Sequence, residues 1–241
     1  MQYKEKPFKK TLCIMFAVLL AAAVSTEFVF AETAADPGSR RILSRECKVM
    51  LSCLLSALSI VLFLKFKGTE RKWCMFGMLL STLGDIFMTD ILGLGDISTY
   101  PGAAFFIFAH IVYGMCFVRA GKRKNYKITN KGFWVGLLVT IAAALVLTGV
   151  MINATGSIQG MFVPILLYLA FIGFNLVSQF SYAYSEQGRR SWIALGMFLF
   201  IVSDFLVFLP MLNVCSGTPH FNDWIWFTYV PAQLLIVLFN S

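Results

Sequence analysis

The sequence predicts an all-α, polytopic membrane protein, and three observations carry that prediction. The 241-residue chain is 59% hydrophobic and 13% charged, with a mean hydropathy of +0.77, far above the range of water-soluble folds. Its apolar residues fall in runs of about 17 to 25, the length of helix that crosses roughly 30 Å of hydrocarbon. Its Lys and Arg residues fall between those runs in short clusters. In a soluble domain a net charge of +8 would point to nucleic acid; distributed this way it reports topology, and nucleic acid is not expected as a partner.

The first run, residues 11–31, follows KEKPFKK and ends in FVFA before ETAADPG. It reads either as a transmembrane helix or as a secretory signal cleaved after Ala31. The remaining runs lie at 48–64, 73–92, 102–118, 133–152, 161–182, 192–212 and 223–239. Eight transmembrane helices are expected, or seven if the first is a removed signal. Residues 1–46 then form an N-terminal segment with its outer loop, and residues 47–241 form the transmembrane domain. The six cysteines, Cys13, Cys47, Cys53, Cys74, Cys116 and Cys215, include no CxxC pair and no His at metal spacing, so they are expected to pack as small buried hydrophobes.

Orientation follows from the basic clusters. With the N-terminus inside, the inner segments hold the lysines of residues 4–10, the basic residues of 65–72 and of 119–131, and Arg189 and Arg190, which is 16 of the 20 Lys and Arg residues. Arg40, Arg41, Arg45 and Lys48 are left outside. The bias predicts both termini inside, in a multi-pass protein of the cell membrane.

Two runs repeat one another. WCMFGMLLSTLGD from Trp73 and WIALGMFLFIVSD from Trp192 both read W-x3-G-M-x-L-x3-[GS]-D, offset by 192 − 73 = 119 residues. Both follow a basic cluster, which predicts two parallel four-helix repeats. Each ends on an aspartate 12 residues past its Trp, about 18 Å along a helix, so Asp85 and Asp204 are expected at one depth. His110 lies in the helix after the first of them, and Tyr229 lies 119 residues beyond His110, at the same level nearer the outer face.

An ionised carboxylate in hydrocarbon costs several kcal/mol, so polar groups there face the bundle interior and pair. Asp85, Asp204, His110, Tyr113, Tyr229 and Gln233 are expected to line one cavity. Tyr113 and Gln233 taken alone suit hydrogen bonds that tie helices together. Two aspartates at matched depth suit chemistry better, because amides or serines would join helices at lower cost. Among local neighbours, Ser81, Thr82 and Thr89 are expected to support a carboxylate at Asp85. Phe200, Ile201, Val207 and Phe208 surround Asp204 with apolar groups that favour a neutral acid. The other histidine, His220, sits in HFND in an outer turn and is expected to be solvated.

Gly84-Asp85, the run Gly102-x3-Phe106-x3-His110-x2-Tyr113, Ser203-Asp204, and Tyr229-x3-Gln233-Leu-Leu-Ile come in an order and at spacings that resemble the YhhN family of lysoplasmalogenase-like membrane proteins, across roughly residues 48–241. The resemblance implies hydrolysis of the vinyl-ether bond of lysoplasmalogens to a fatty aldehyde and glycerophosphocholine or glycerophosphoethanolamine. It makes a lysophospholipid the substrate and membrane lipids the partners. Such hydrolysis needs a carboxylic acid that protonates the vinyl β-carbon and a carboxylate nearby, and an aspartate pair sharing one proton supplies both. Asp204 is the expected proton donor, and Asp85 the group that stabilises the cation and orients water. His110, Tyr113, Tyr229 and Gln233 are expected to bind substrate.

Other classes leave their own marks. GLGD at residues 93–96 matches the Gly-x-Gly-Asp of intramembrane aspartyl proteases, but it falls past the third run and the chain contains no Tyr-Asp dipeptide, so it reads as a Gly-rich turn. A proton-coupled transporter would use the same repeat and the same carboxylates. No metal or nucleotide motif occurs and no cofactor is expected.

Overall fold

The computed structural model describes residues 43–153, 162–186, 190–211 and 221–239. The first apolar run with its alternative signal reading, Cys13, Cys215 and His220 lie outside the described residues. Seven α-helices occur within them: α1 (Arg45–Phe66), α2 (Thr69–Met88), α3 (Thr99–Arg123), α4 (Lys131–Asn153), α5 (Phe162–Ser185), α6 (Arg190–Met211) and α7 (Phe221–Phe239). Each coincides with one of the apolar runs from residue 48 onward. Five of them, α1, α3, α4, α5 and α6, are long and apolar enough to cross a membrane. The apolar stretch of α7, Asp223–Leu238, is shorter. α2 falls outside that group because it opens on the charged turn Glu70-Arg71-Lys72 and carries Asp85.

Local chemistry sets the helix ends. The Ser44 hydroxyl accepts the Cys47 amide at 3.1 Å and caps α1, satisfying one of the free N–H groups of its first turn. α2 stops at Met88, four residues short of the end of the apolar run. There Asp90 adopts φ 51°, Gly93 68° and Gly95 65°, a left-handed path that two of the three follow without a Cβ penalty. The Asp90 carboxylate accepts the Gly95 amide at 3.0 Å and holds the turn. GLGD is therefore a turn, and Asp96 is exposed in it. Arg45 donates to the Asp90 carbonyl at 3.3 Å and ties the start of α1 to the same place.

Polar groups face inward and large apolar groups outward, the reverse of a water-soluble protein. Ser52, Ser56 and Ser59 on α1, Asn175 and Gln179 on α5 and Gln233 on α7 are buried, while Leu138 and Leu145 on α4 are 67% and 68% exposed. This is the distribution a multi-pass membrane protein needs, with apolar side chains against lipid and polar ones paired inside. Of the four described cysteines, Cys47, Cys74 and Cys116 are buried as expected. Cys53 is exposed, because it lies about a quarter turn round α1 from the buried serine face.

α2 packs on α3 and α6 on α7; α1 packs on α2 and α5 on α6; α3 meets α5, and α7 returns to α1. α1, α2, α3, α5, α6 and α7 thus follow one another around the bundle, and each pairing has a counterpart on the other side. α4 makes its main contact with α5. In the turn after α3, Lys124 pairs with Glu186 just past the end of α5, and Glu186 also accepts the Tyr126 hydroxyl at 3.0 Å. Burial pushes the Glu186 carboxyl up, but the Lys124 ammonium and the neighbouring tyrosine hydroxyls outweigh it and hold the group below its ordinary value.

Candidate functional site

Asp85 lies on the buried face of α2. Its Oδ2 accepts the Ser52 hydroxyl of α1 at 2.5 Å and the Tyr229 hydroxyl of α7 at 2.8 Å. Two O–H donors on one oxygen suit a charged carboxylate, since bonds to an ionised acceptor are the short and strong ones. The Tyr229 ring is held by three aromatic neighbours, Trp226 at 5.4 Å, Phe200 at 5.7 Å and Phe106 at 6.1 Å between centroids.

Asp204 is buried on α6, and its Oδ2 lies 3.1 Å from Nε2 of His110 on α3; the Tyr168 hydroxyl of α5 also approaches it. His110 is fully enclosed, and its second ring nitrogen, Nδ1, lies 3.0 Å from Nδ2 of Asn175. Gln179 Nε2 donates to Asn175 Oδ1 at 3.0 Å, which turns the Asn175 N–H toward the imidazole. In that orientation Nδ1 accepts, and Nε2 carries the hydrogen given to Asp204. An amide pair on α5 therefore selects the tautomer of the histidine that serves the carboxylate.

The four residues make two crossed pairs. Asp85 on α2 is served by Tyr229 on α7, and Asp204 on α6 by His110 on α3, with 204 − 85 = 229 − 110 = 119. Each half of the chain supplies a carboxylate to the other half's donor. Phe200 packs between them, 4.7 Å from the His110 ring and 5.7 Å from that of Tyr229.

Tyr113 and Gln233 extend the first pair, since Gln233 also approaches the Tyr229 hydroxyl and the Tyr113 hydroxyl donates to Gln233 Oε1 at 2.9 Å. Gln233 Nε2 in turn donates to Ser81 at 3.3 Å. Tyr113 fits because residue 77 is glycine: a Cβ there would come within 2.6 Å of the ring. These bonds join α2, α3 and α7, the helix-tying role that the two residues suit.

Three expectations need correction. The centre of the expected cavity is filled by Phe200, whose ring stands 4.7 Å from His110, 5.7 Å from Tyr229 and 6.4 Å from Tyr113; Asp85, Tyr229, Gln233 and Tyr113 join in one hydrogen-bonded chain and Asp204 and His110 in another. Asp204 borders a groove whose other described walls are apolar apart from Thr140. The hydroxyls supporting Asp85 are not those of its own helix: Ser81 bonds Gln233, Thr82 lies 2.7 Å from the Ser56 hydroxyl, and Thr89 donates to the Asp85 backbone carbonyl at 2.8 Å. Side chains on one helix point outward from its axis, so a buried carboxylate finds its donors on the helices it faces. For the same reason Asp204, apolar along its own helix, has polar partners on α3 and α5. Ser52, Tyr168, Asn175 and Gln179 were not singled out from the sequence. The signal available was spacing, since Ser52, Ser56 and Ser59, like Asn175 and Gln179, put polar groups on one helical face of an apolar run.

No curated protein and no solved structure matches the chain. The model of the YhhN family matches residues 45–239, which takes in all seven helices and every residue of the crossed pairs, and on that match the chain belongs to the YhhN family.

Proposed function

We propose that the protein is a membrane-embedded, lysoplasmalogenase-like hydrolase that cleaves the vinyl-ether bond of lysoplasmalogens with Asp85 and Asp204 as its acid/base pair. Family membership supports the reaction class, and the observation that carries the reading is the crossed pairing of two buried carboxylates with Tyr229 and His110. Helix association alone needs no such groups. Asp204 gives its proton to the vinyl β-carbon, forming a C–H bond and leaving an oxocarbenium ion. Asp85 faces that cation and takes a proton from the water that adds to it. As the resulting hemiacetal collapses, Asp85 protonates the departing glycerol oxygen and the hemiacetal hydroxyl returns its proton to Asp204. The aldehyde leaves, and both carboxyl groups are reset. His110 hydrogen-bonds the same Asp204 oxygen throughout and holds it in place.

In this reading the chain crosses the cell membrane as two parallel four-helix repeats with both termini inside, the first span counted only if it is not cleaved. The recurrence of the helix pairings on the two sides of the bundle supports the repeat.

Asp85→Asn and Asp204→Asn, purified and supplied with choline and ethanolamine lysoplasmalogens, are expected to lose about 100-fold or more in aldehyde release, the scale of a lost acid or base. Near wild-type turnover by either folded variant would overturn the assignment. A proton-coupled transporter, which the paired halves also suit, would show flux dependent on a proton gradient and no turnover in detergent.

A further inference from the structure

Asp204 borders a narrow groove between α4, α5 and α6. Its walls include Ala143 and Leu147 of α4, Leu169 and Ile172 of α5, and Phe205 of α6, and Asp204 is the only ionisable side chain among its described lining residues. The groove starts where α4 and α5 touch. A Cβ on Gly173 would come within 2.5 Å of the Thr140 methyl, so the helices are in direct contact at that level. From Thr140 to Leu147 is seven residues, about 10 Å of helix. Along this length the wall residues Ala143, Leu169, Ile201 and Phe205 are only half-buried, so the groove is open on its outer side. Asp204 therefore connects to the membrane interior sideways, along an apolar path.

We propose that the single alkyl chain of the substrate lies along this groove, widening it as α4, held mainly by α5, yields, with the reactive end of the chain against Asp204. The inference rests on the hydrolase reading and names the subsite that reading needs. An apolar wall suits hydrocarbon, and a carboxyl group at its edge meets the one polar position on the chain, the ether-linked end. A bilayer phospholipid tail has no such group at that depth and gains nothing from Asp204. Ala143, the smallest side chain in the wall, sets how much chain the groove admits.

The test uses a 1-O-alkyl lysophospholipid carrying a photoreactive diazirine in its chain, which binds but has no vinyl ether to hydrolyse. Crosslinks in the detergent-solubilised full chain are expected at Ala143–Leu147 and at Ile201–Phe205. Excess lysoplasmalogen should remove them and a diacyl phospholipid should not. Ala143→Phe should lower that labelling and lower aldehyde release from a long-chain lysoplasmalogen about tenfold more than from one half as long, a discrimination within reach of pocket filling. Phe205→Ala, which enlarges the groove, should shift the preference toward longer chains. Labelling spread evenly over the lipid-facing helices, or displaced equally by diacyl lipid, overturns the proposal, as does equal loss by Ala143→Phe at both chain lengths. The two readings separate cleanly. Groove labelling without aldehyde from any lysoplasmalogen sinks the hydrolase and keeps the chain site; aldehyde without groove labelling does the reverse.

Discussion

Ser52 and Tyr229 donate to the same oxygen of Asp85, which makes their contributions interdependent. A hydrogen bond to a charged group is worth about 1.5–3 kcal/mol, and a buried acceptor stripped of partners costs more than the bond itself. Ser52→Ala and Tyr229→Phe should each lower the unfolding temperature in detergent and reduce turnover. The double variant should lose more than the sum, by at least about 0.5 kcal/mol of coupling. Additive losses would mean that the carboxylate is held by something other than these two hydroxyls. The same residues show what was readable in advance. Asp85, Asp204, His110 and Tyr229 stand out because ionisable and phenolic groups are costly inside apolar runs. Ser52 and Asn175 do not, because serine and asparagine in a helix are ordinary until the neighbouring helix they face is known. The 119-residue offset located both ends of the crossed pairs but not the crossing, which depends on how the two halves dock.

α4 and α5 meet along a stripe of small residues on α4. A Cβ on Gly132 would sit 2.2 Å from the Phe180 carbonyl oxygen, and one on Gly136 would sit 2.9 Å from the Val177 Cα. With Thr140, these residues recur every four positions on one face of α4 and let the backbones approach, the packing that drives helix association where lipid removes the hydrophobic incentive. Backbone atoms cannot move aside as a flexible side chain can. Gly132→Val should therefore push α4 off α5, lower the unfolding temperature, and open the wall of the groove beside Asp204. Gly149, on the same helix, has nothing within 4 Å of a would-be Cβ. Gly149→Ala should instead stabilise by up to about 1 kcal/mol through helix propensity. Opposite signs for two glycines in one helix, measured by thermal unfolding in a single detergent, is the expected result. If Gly132→Val is neutral, the stripe is not what holds α4. The apolar run announced the helix, but because α4 is apolar all round, its hydrophobic pattern did not announce which face meets α5.

The bundle closes where its first and last described helices meet, at the N-terminal ends of α1 and α7. Lys48 Nζ lies 3.5 Å from Asp223 Oδ1, with side-chain exposures of 3% and 1%, and the Leu43 amide donates to the same carboxylate oxygen at 3.3 Å. Lys48 is one helical turn above Ser52, and Asp223 is six residues before Tyr229. The ion pair thus fixes the relative height of the two hydroxyls that converge on Asp85, at the junction where the two ends of the helix series have no covalent connection of their own. A buried ion pair adds little net stability over a well-packed apolar pair, yet removing one partner costs about 3–5 kcal/mol because the other charge stays buried. Asp223→Asn should therefore lower the unfolding temperature sharply, and Lys48→Met combined with Asp223→Leu should restore most of it. If the pair also sets the height of Ser52 and Tyr229, the double variant will recover stability without recovering full turnover. Full recovery of both would confine the pair to a structural role, and a stable Asp223→Asn would show that the bundle is closed by other contacts between α1 and α7.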